Sequence, residues 1–114
     1  MEKQRRMDSR ISNIIQDFVS DSQKILKENL IAEYLFGSYA RNEQTELSDI
    51  DILVIVRNYN WQMSEELSSL SSDYSLDYGV IISPVLTDIA IWKKNKKHNT
   101  LFYKEVKGQG VKLC

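Results

Sequence analysis

GSYARNEQTELSDIDILVIV, running from Gly37 to Val56, decides the fold. It joins a Gly-Ser turn to a polar segment, and that segment to two aspartates alternating with apolar residues. Successive side chains of a strand point to opposite faces, so Asp49 and Asp51 project one way and Ile50 and Ile52 the other. Two carboxylates beside an apolar run are costly unless something pairs them, and a divalent cation taking oxygen ligands does so. The plainer reading is that Asp49 caps a turn with Ser48 while Asp51 sits in a salt bridge; the aspartate pair alone does not separate the two. Upstream, Gly37 and Ser38 offer backbone amides and a hydroxyl, the groups that hold phosphate at a loop or helix N-terminus.

Beyond Asp51 the stretch is apolar at successive positions, so Asp49–Val56 reads as a central strand covered on both faces. Before it, Ile31–Phe36 reads as a strand ended by Gly37, Ser38 can cap a short helix through Tyr39, Ala40 and Arg41, and Asn42–Ser48 is an exposed loop. Further upstream the apolar residues from Met7 to Leu30 keep a helical period interrupted only by Ser22, which predicts one long amphipathic helix.

Downstream, Trp61, Met63, Leu67, Leu70 and Tyr74 recur at helical spacing, with Glu65 and Glu66 near the start. SLDYGVIIS (Ser75–Ser83) reads as a third strand, its end or an edge marked by Pro84. Thr87 or Asp88 can cap a short helix through Trp92, KKNKKHNT is a polar linker, and LFYKEVKGQGVKL holds a helical turn or two before Gly108. Val111–Leu113 adds a small edge strand. The fold class that follows is α/β (α+β), a small mixed sheet with helices packed mainly on one face.

The length of 114 residues suits one domain, 1–114, and the hydrophobic share of 42% and charged share of 27% are ordinary for a globular protein. A formal charge of −1 draws the chain to no nucleic acid as a stable partner. Lys93, Lys94, Lys96 and Lys97 form the one basic cluster, read as solvated surface or as a phosphate or RNA contact. His98, the single histidine, reads as an exposed loop residue. Trp61, Trp92, Phe102 and Tyr103 read as core or interface. A lone cysteine, Cys114, excludes an intrachain disulfide and a cysteine metal cluster, and no apolar run reaches membrane-spanning length, so a cytoplasmic location is expected.

GSYARN followed by SDIDILV resembles the signature of the minimal nucleotidyltransferases, the small antitoxin-type branch of the DNA polymerase beta superfamily. Gly37, Ser38, Ala40, Arg41, Asp49 and Asp51 match its pattern, and the likeness extends over nearly the whole chain, to FYKEVKGQGVKL at the end. It implies a polymerase-beta-like nucleotidyltransferase fold, phosphate contacts from Gly37 and Ser38, and Mg²⁺ held by Asp49 and Asp51 in a two-metal site. Arg41 is a candidate phosphate contact, or else a loop arginine in a surface ion pair. The implied reaction moves a nucleoside monophosphate, AMP from ATP, to an acceptor hydroxyl. The implied acceptor is a side chain on a cognate HEPN-type toxin, with an RNA acceptor left open. Two other readings are a binding module without turnover and, ranked lower, transfer to a small molecule such as an aminoglycoside.

Two positions depart from the pattern. Asn42 stands where glycine is common, and asparagine tolerates the left-handed backbone conformation. The third carboxylate expected on the strand beside the aspartate pair aligns with Gly79. Asp77, two positions earlier and on the same face by strand parity, is the substitute metal-binding and catalytic candidate if a bulge at Gly79 shifts it. Without that shift, binding persists and catalysis weakens.

Overall fold

The computed structural model describes residues 9–114. Helix α1 spans Ser9–Leu26, a 3₁₀ turn covers Lys27–Asn29, and strands β1 (Leu30–Phe36) and β2 (Ile50–Val56) follow. Helix α2 spans Trp61–Tyr78, strand β3 Ile82–Asp88, helices α3 and α4 Ile89–Lys97 and Leu101–Gln109, and strand β4 Val111–Lys112. The sheet order is β3-β2-β1-β4. β1 runs antiparallel to β2 and β4, and β2 parallel to β3, so the sheet is mixed and β2 is internal as expected.

Alternation along β2 builds two cores. Ile50, Ile52, Val54 and Val56 face one way and pack with Ile14, Ile15, Phe18 and Val19 of α1 and Met63, Leu67 and Tyr74 of α2. Leu53 and Ile55 face the other way and pack with Trp92 of α3 and Val106 of α4. The two long helices thus share the first face, and the two short ones cover the second. Burying each such aliphatic side chain contributes on the order of 1.5–3 kcal/mol. Trp92 meets the Phe102 ring edge-on at 5.9 Å, so both aromatics are structural, whereas Trp61, at the start of α2, is 72% exposed.

Several boundaries differ from the sequence reading. Met7 lies outside the described residues. The first helix stops at Leu26 rather than Leu30, because Leu30 is taken up by β1. Ser22 does not interrupt the buried stripe but belongs to it, fully buried with its Oγ 2.5 Å from Glu33 Oε2 of β1. Pro84 sits inside β3, which tolerates it because β3 is an edge strand. The polar linker shrinks: α3 continues through Lys97, started by Asp88 Oδ1 accepting from the Ala90 N–H at 2.8 Å. Lys93, Lys94, Lys96, Lys97 and His98 are all exposed.

The largest correction concerns Ser75–Ser83. Its first four residues finish α2, and Gly79 caps that helix in the left-handed conformation (φ 68°), its N–H donating to the Ser75 carbonyl at 2.9 Å. A glycine at this position ends helices because it alone adopts positive φ without a Cβ penalty. Gly79 is therefore a helix cap rather than a bulge, and the strand begins only at Ile82.

Candidate active site

The register of β1 against β2 creates the site. Phe36, the last residue of β1, pairs with Asp51, so the chain leaving β1 lands on the Asp51 side chain. Gly37 turns there with φ 75°, and a β-carbon on it would collide with Asp51 Oδ2. The segment from Ser38 to Asn42 then folds into tight turns rather than the expected short helix. The Arg41 N–H donates to the carbonyls of Gly37 and Ser38, each at 3.2 Å, and the Glu43 N–H donates to the Ser38 carbonyl at 2.9 Å. Asn42 takes φ 57°, the left-handed conformation its side chain tolerates.

Asp49 lies one residue ahead of β2, while Asp51 is within it, on the face shared with Leu53 and Ile55. Burial raises the Asp51 carboxyl above its ordinary range first of all, the Asp49 charge and then the Glu105 charge push the same way, and Arg41 opposes them. A cation between these carboxylates would relieve that cost. The plainer reading of the pair does not match the geometry. Ser48 closes its turn with Thr45, its Oγ accepting from the Thr45 N–H at 2.8 Å. Asp49 Oδ2 instead faces Ser83 Oγ of β3 at 3.4 Å. Among the described residues, the ion pairs join Arg41 to Glu43 and Glu105 and leave Asp51 out.

Arg41 is clasped from two sides. Its Nε donates to Glu43 Oε1 at 2.9 Å and its Nη1 to Glu105 Oε2 at 3.1 Å. Glu105 comes from α4, held on the Asp51 face of the sheet by Val106 in the core and by Phe102 against Phe36 at 5.4 Å. Sequence reasoning missed Glu105, because an exposed-looking glutamate in FYKEV carries no local mark of which strand its helix covers.

Asp77, expected beside the aspartate pair, is instead an exposed residue in the last turn of α2. Strand parity does not apply to it. The β3 residue opposite Asp51 is Ser83, and the only carboxylate of β3, Asp88, sits at the other end opposite Val56, capping α3. Among the described residues no group of three or more histidine, cysteine or acidic side chains is arranged to hold a metal. Two oxygen-donor carboxylates beside a turn of backbone amides do suit a hard cation that keeps waters and arrives with substrate phosphates, as Mg²⁺ does. Beside Asp49 a cavity of about 380 Å³ opens between Tyr39, Leu47 and the residues just ahead of β3, Val80 and Ile81, with Arg10 on its wall.

The family described as "Polymerase beta, Nucleotidyltransferase" matches residues 20–114. The Methanocaldococcus jannaschii protein named "Putative protein adenylyltransferase MJ0141" is 38% identical over 104 residues, spanning 90% of this chain and 98% of the relative. A second protein of that organism, "Putative protein adenylyltransferase MJ0604", is 34% identical over 96 residues, 84% of this chain and 90% of the relative. Among solved structures, a chain of the toxin–antitoxin MntA–HpeT is similar with a TM-score of 0.56 and 25% identity, over 87% of this chain and 72% of that one. A chain of a toxin–antitoxin structure with AMP-PNP is similar with a TM-score of 0.53, 25% identity and the same coverage.

Proposed function

Because this chain belongs to the polymerase beta nucleotidyltransferase family, we propose that it transfers AMP from ATP to an acceptor hydroxyl, carried by a side chain of a HEPN-type toxin that it neutralises. The observation that carries this reading is the close approach of Gly37, at the head of the Gly37–Ser38 turn, to the Asp51 carboxylate, two residues along from Asp49. That approach supports reading the turn as the phosphate holder and the aspartates as the cation holder of one small surface. The adenylyltransferase names of the relatives support the AMP group, and the toxin–antitoxin and AMP-PNP structures support the partner and the nucleotide.

In the proposed reaction the acceptor oxygen attacks the α-phosphorus, the bond to the β-phosphate oxygen breaks, and pyrophosphate leaves while the hydroxyl proton passes to a base. The amides after Gly37, the Ser38 hydroxyl and Arg41 bind and orient the triphosphate, which removes most of the entropic part of the barrier. Asp49 and Asp51 would hold Mg²⁺, which when bound neutralises phosphate charge and lowers the pKa of the acceptor hydroxyl. With Ser83 opposite Asp51, β3 offers no carboxylate there to take the proton, which leaves Asp49 and Asp51 as the candidate carboxylates of this surface. That serine also favours a second reading, a nucleotide-binding antitoxin with little turnover.

Titration calorimetry with ATP and Mg²⁺, run beside transfer of label from α-³²P-ATP to the partner toxin, separates the two. Binding with labelling is expected. Binding without labelling supports the second reading, and absence of Mg²⁺-dependent binding rejects both. The reaction belongs in the cytoplasm, where ATP is supplied; among the described residues no helix is long and apolar enough to cross a membrane.

A further inference from the structure

Arg41 is the cation that acts on the Asp51 carboxylate, and both of its ion-pair partners among the described residues are glutamates. Glu43 reaches it from two residues along the same turn, and Glu105 from 64 residues away, across the gap between α4 and the turn. The Arg41 side chain is 32% exposed, that of Glu105 35% and that of Glu43 66%, so the Glu105 contact is the better shielded from water. Glu43 and Glu105 act on the guanidinium directly and Arg41 acts on Asp51, which also feels Asp49, so negative charge is in excess around this one cation and opposes a triphosphate until Arg41 is released to it.

We infer that Glu105 is a positioning residue for Arg41, a counter-ion that holds the guanidinium beside Asp51 in the empty site and gives it up to the triphosphate when nucleotide binds. The inference rests on the nucleotidyltransferase reading and adds to it an element that sets nucleotide affinity. Nucleotide entry then exchanges one anionic partner of Arg41 for another and loosens the Glu105 contact, while Val106 and Phe102 keep α4 seated on the sheet. Glu43 takes part as the more exposed, weaker partner. Because the pair is partly exposed, its strength is that of a screened ion pair, a factor of about two to five in equilibrium.

Calorimetric titration of the whole chain with ATP in the presence of Mg²⁺ tests this as a double-mutant cycle. Glu105→Gln keeps the size and the hydrogen-bonding reach of the side chain but removes its charge, and is expected to tighten ATP binding roughly two- to fivefold. In the Arg41→Gln background the same change is expected to leave affinity unaltered, since the counter-ion then has nothing to release. Glu43→Gln is expected to shift affinity in the same direction by less. Equal tightening with and without Arg41 would show a diffuse charge effect and overturn the inference, as would unchanged or weakened binding in Glu105→Gln with wild-type melting behaviour. If the unaltered chain fails to bind ATP with Mg²⁺, the nucleotidyltransferase reading falls and this inference with it. Binding that is indifferent to Glu105 removes the inference alone.

Discussion

The α-carbon of Gly37 abuts the Asp51 carboxylate so closely that a β-carbon on it would overlap Oδ2, and its backbone holds φ 75°. One residue thus meets two demands, a left-handed turn and a bare approach to an acidic side chain. Gly37→Ala meets neither. It is expected to cost more than about 1 kcal/mol of stability from backbone strain alone, and to weaken Mg²⁺-dependent ATP binding at least about tenfold by displacing Asp51, a factor equal to about 1.4 kcal/mol. Thermal melting and calorimetry read the two effects separately.

Asp51 is half-buried, with Asp49 and Glu105 raising its pKa further. Its replacement therefore relieves an unfavourable charge in the empty site. Asp49→Asn combined with Asp51→Asn is expected to abolish Mg²⁺-dependent ATP binding with no loss of melting temperature. In the unaltered chain, binding should fade on acidification at a pH above that of an ordinary aspartate, because the raised carboxyl takes up its proton earlier. Titration in a series of buffers would show this, and affinity unchanged in the double variant would sink the proposed cation site.

Asp77 stands exposed in the last turn of α2. Asp77→Ala is expected to leave ATP affinity and label transfer within about twofold of the unaltered chain, and stability within about 0.5 kcal/mol, as for other surface positions. A large loss of transfer at normal affinity would restore Asp77 as the missing carboxylate.

Glu33 is a fully buried acid whose pKa burial raises from 4.5 to about 7, against the lowering influence of Ser22. Ser22 Oγ lies 2.5 Å from Glu33 Oε2 and 2.9 Å from the Val19 carbonyl, while Glu33 Oε1 has no hydrogen-bond partner among the described residues. The Ser22 hydroxyl donates to Glu33 Oε2, and this one donor does not offset the burial that favours the neutral acid. Below about pH 4.5 both folded and unfolded states hold the proton and Glu33 contributes no pH dependence. As pH rises toward 7 the unfolded state ionises while the folded state stays neutral, so stability falls, by about 3 kcal/mol in total. Glu33→Gln is expected to flatten denaturant-measured stability across this range and to exceed the unaltered chain at pH 8. An unchanged slope would show that Glu33 is ionised in the fold.

What the sequence determined by itself was whatever a single element controls. Side-chain direction within a strand follows from its backbone dihedrals, so DID placed Asp49 and Asp51 together, and the apolar run after them required a strand covered on both faces. The turn chemistry of Gly37, and the tolerance of Asn42 for φ 57°, are likewise local. The tertiary structure decided what depends on packing between distant segments. Gly79 could open a bulge or close a helix, and the seating of Tyr74 in the α1 core settled it as a cap, which took Asp77 out of the sheet. Ser22 looked like a break in an apolar stripe until Glu33 came to lie against it. Glu105 reached Arg41 only because Val106 and Phe102 lay α4 on the Asp51 face, a placement set by core packing and not by any periodicity around residue 105.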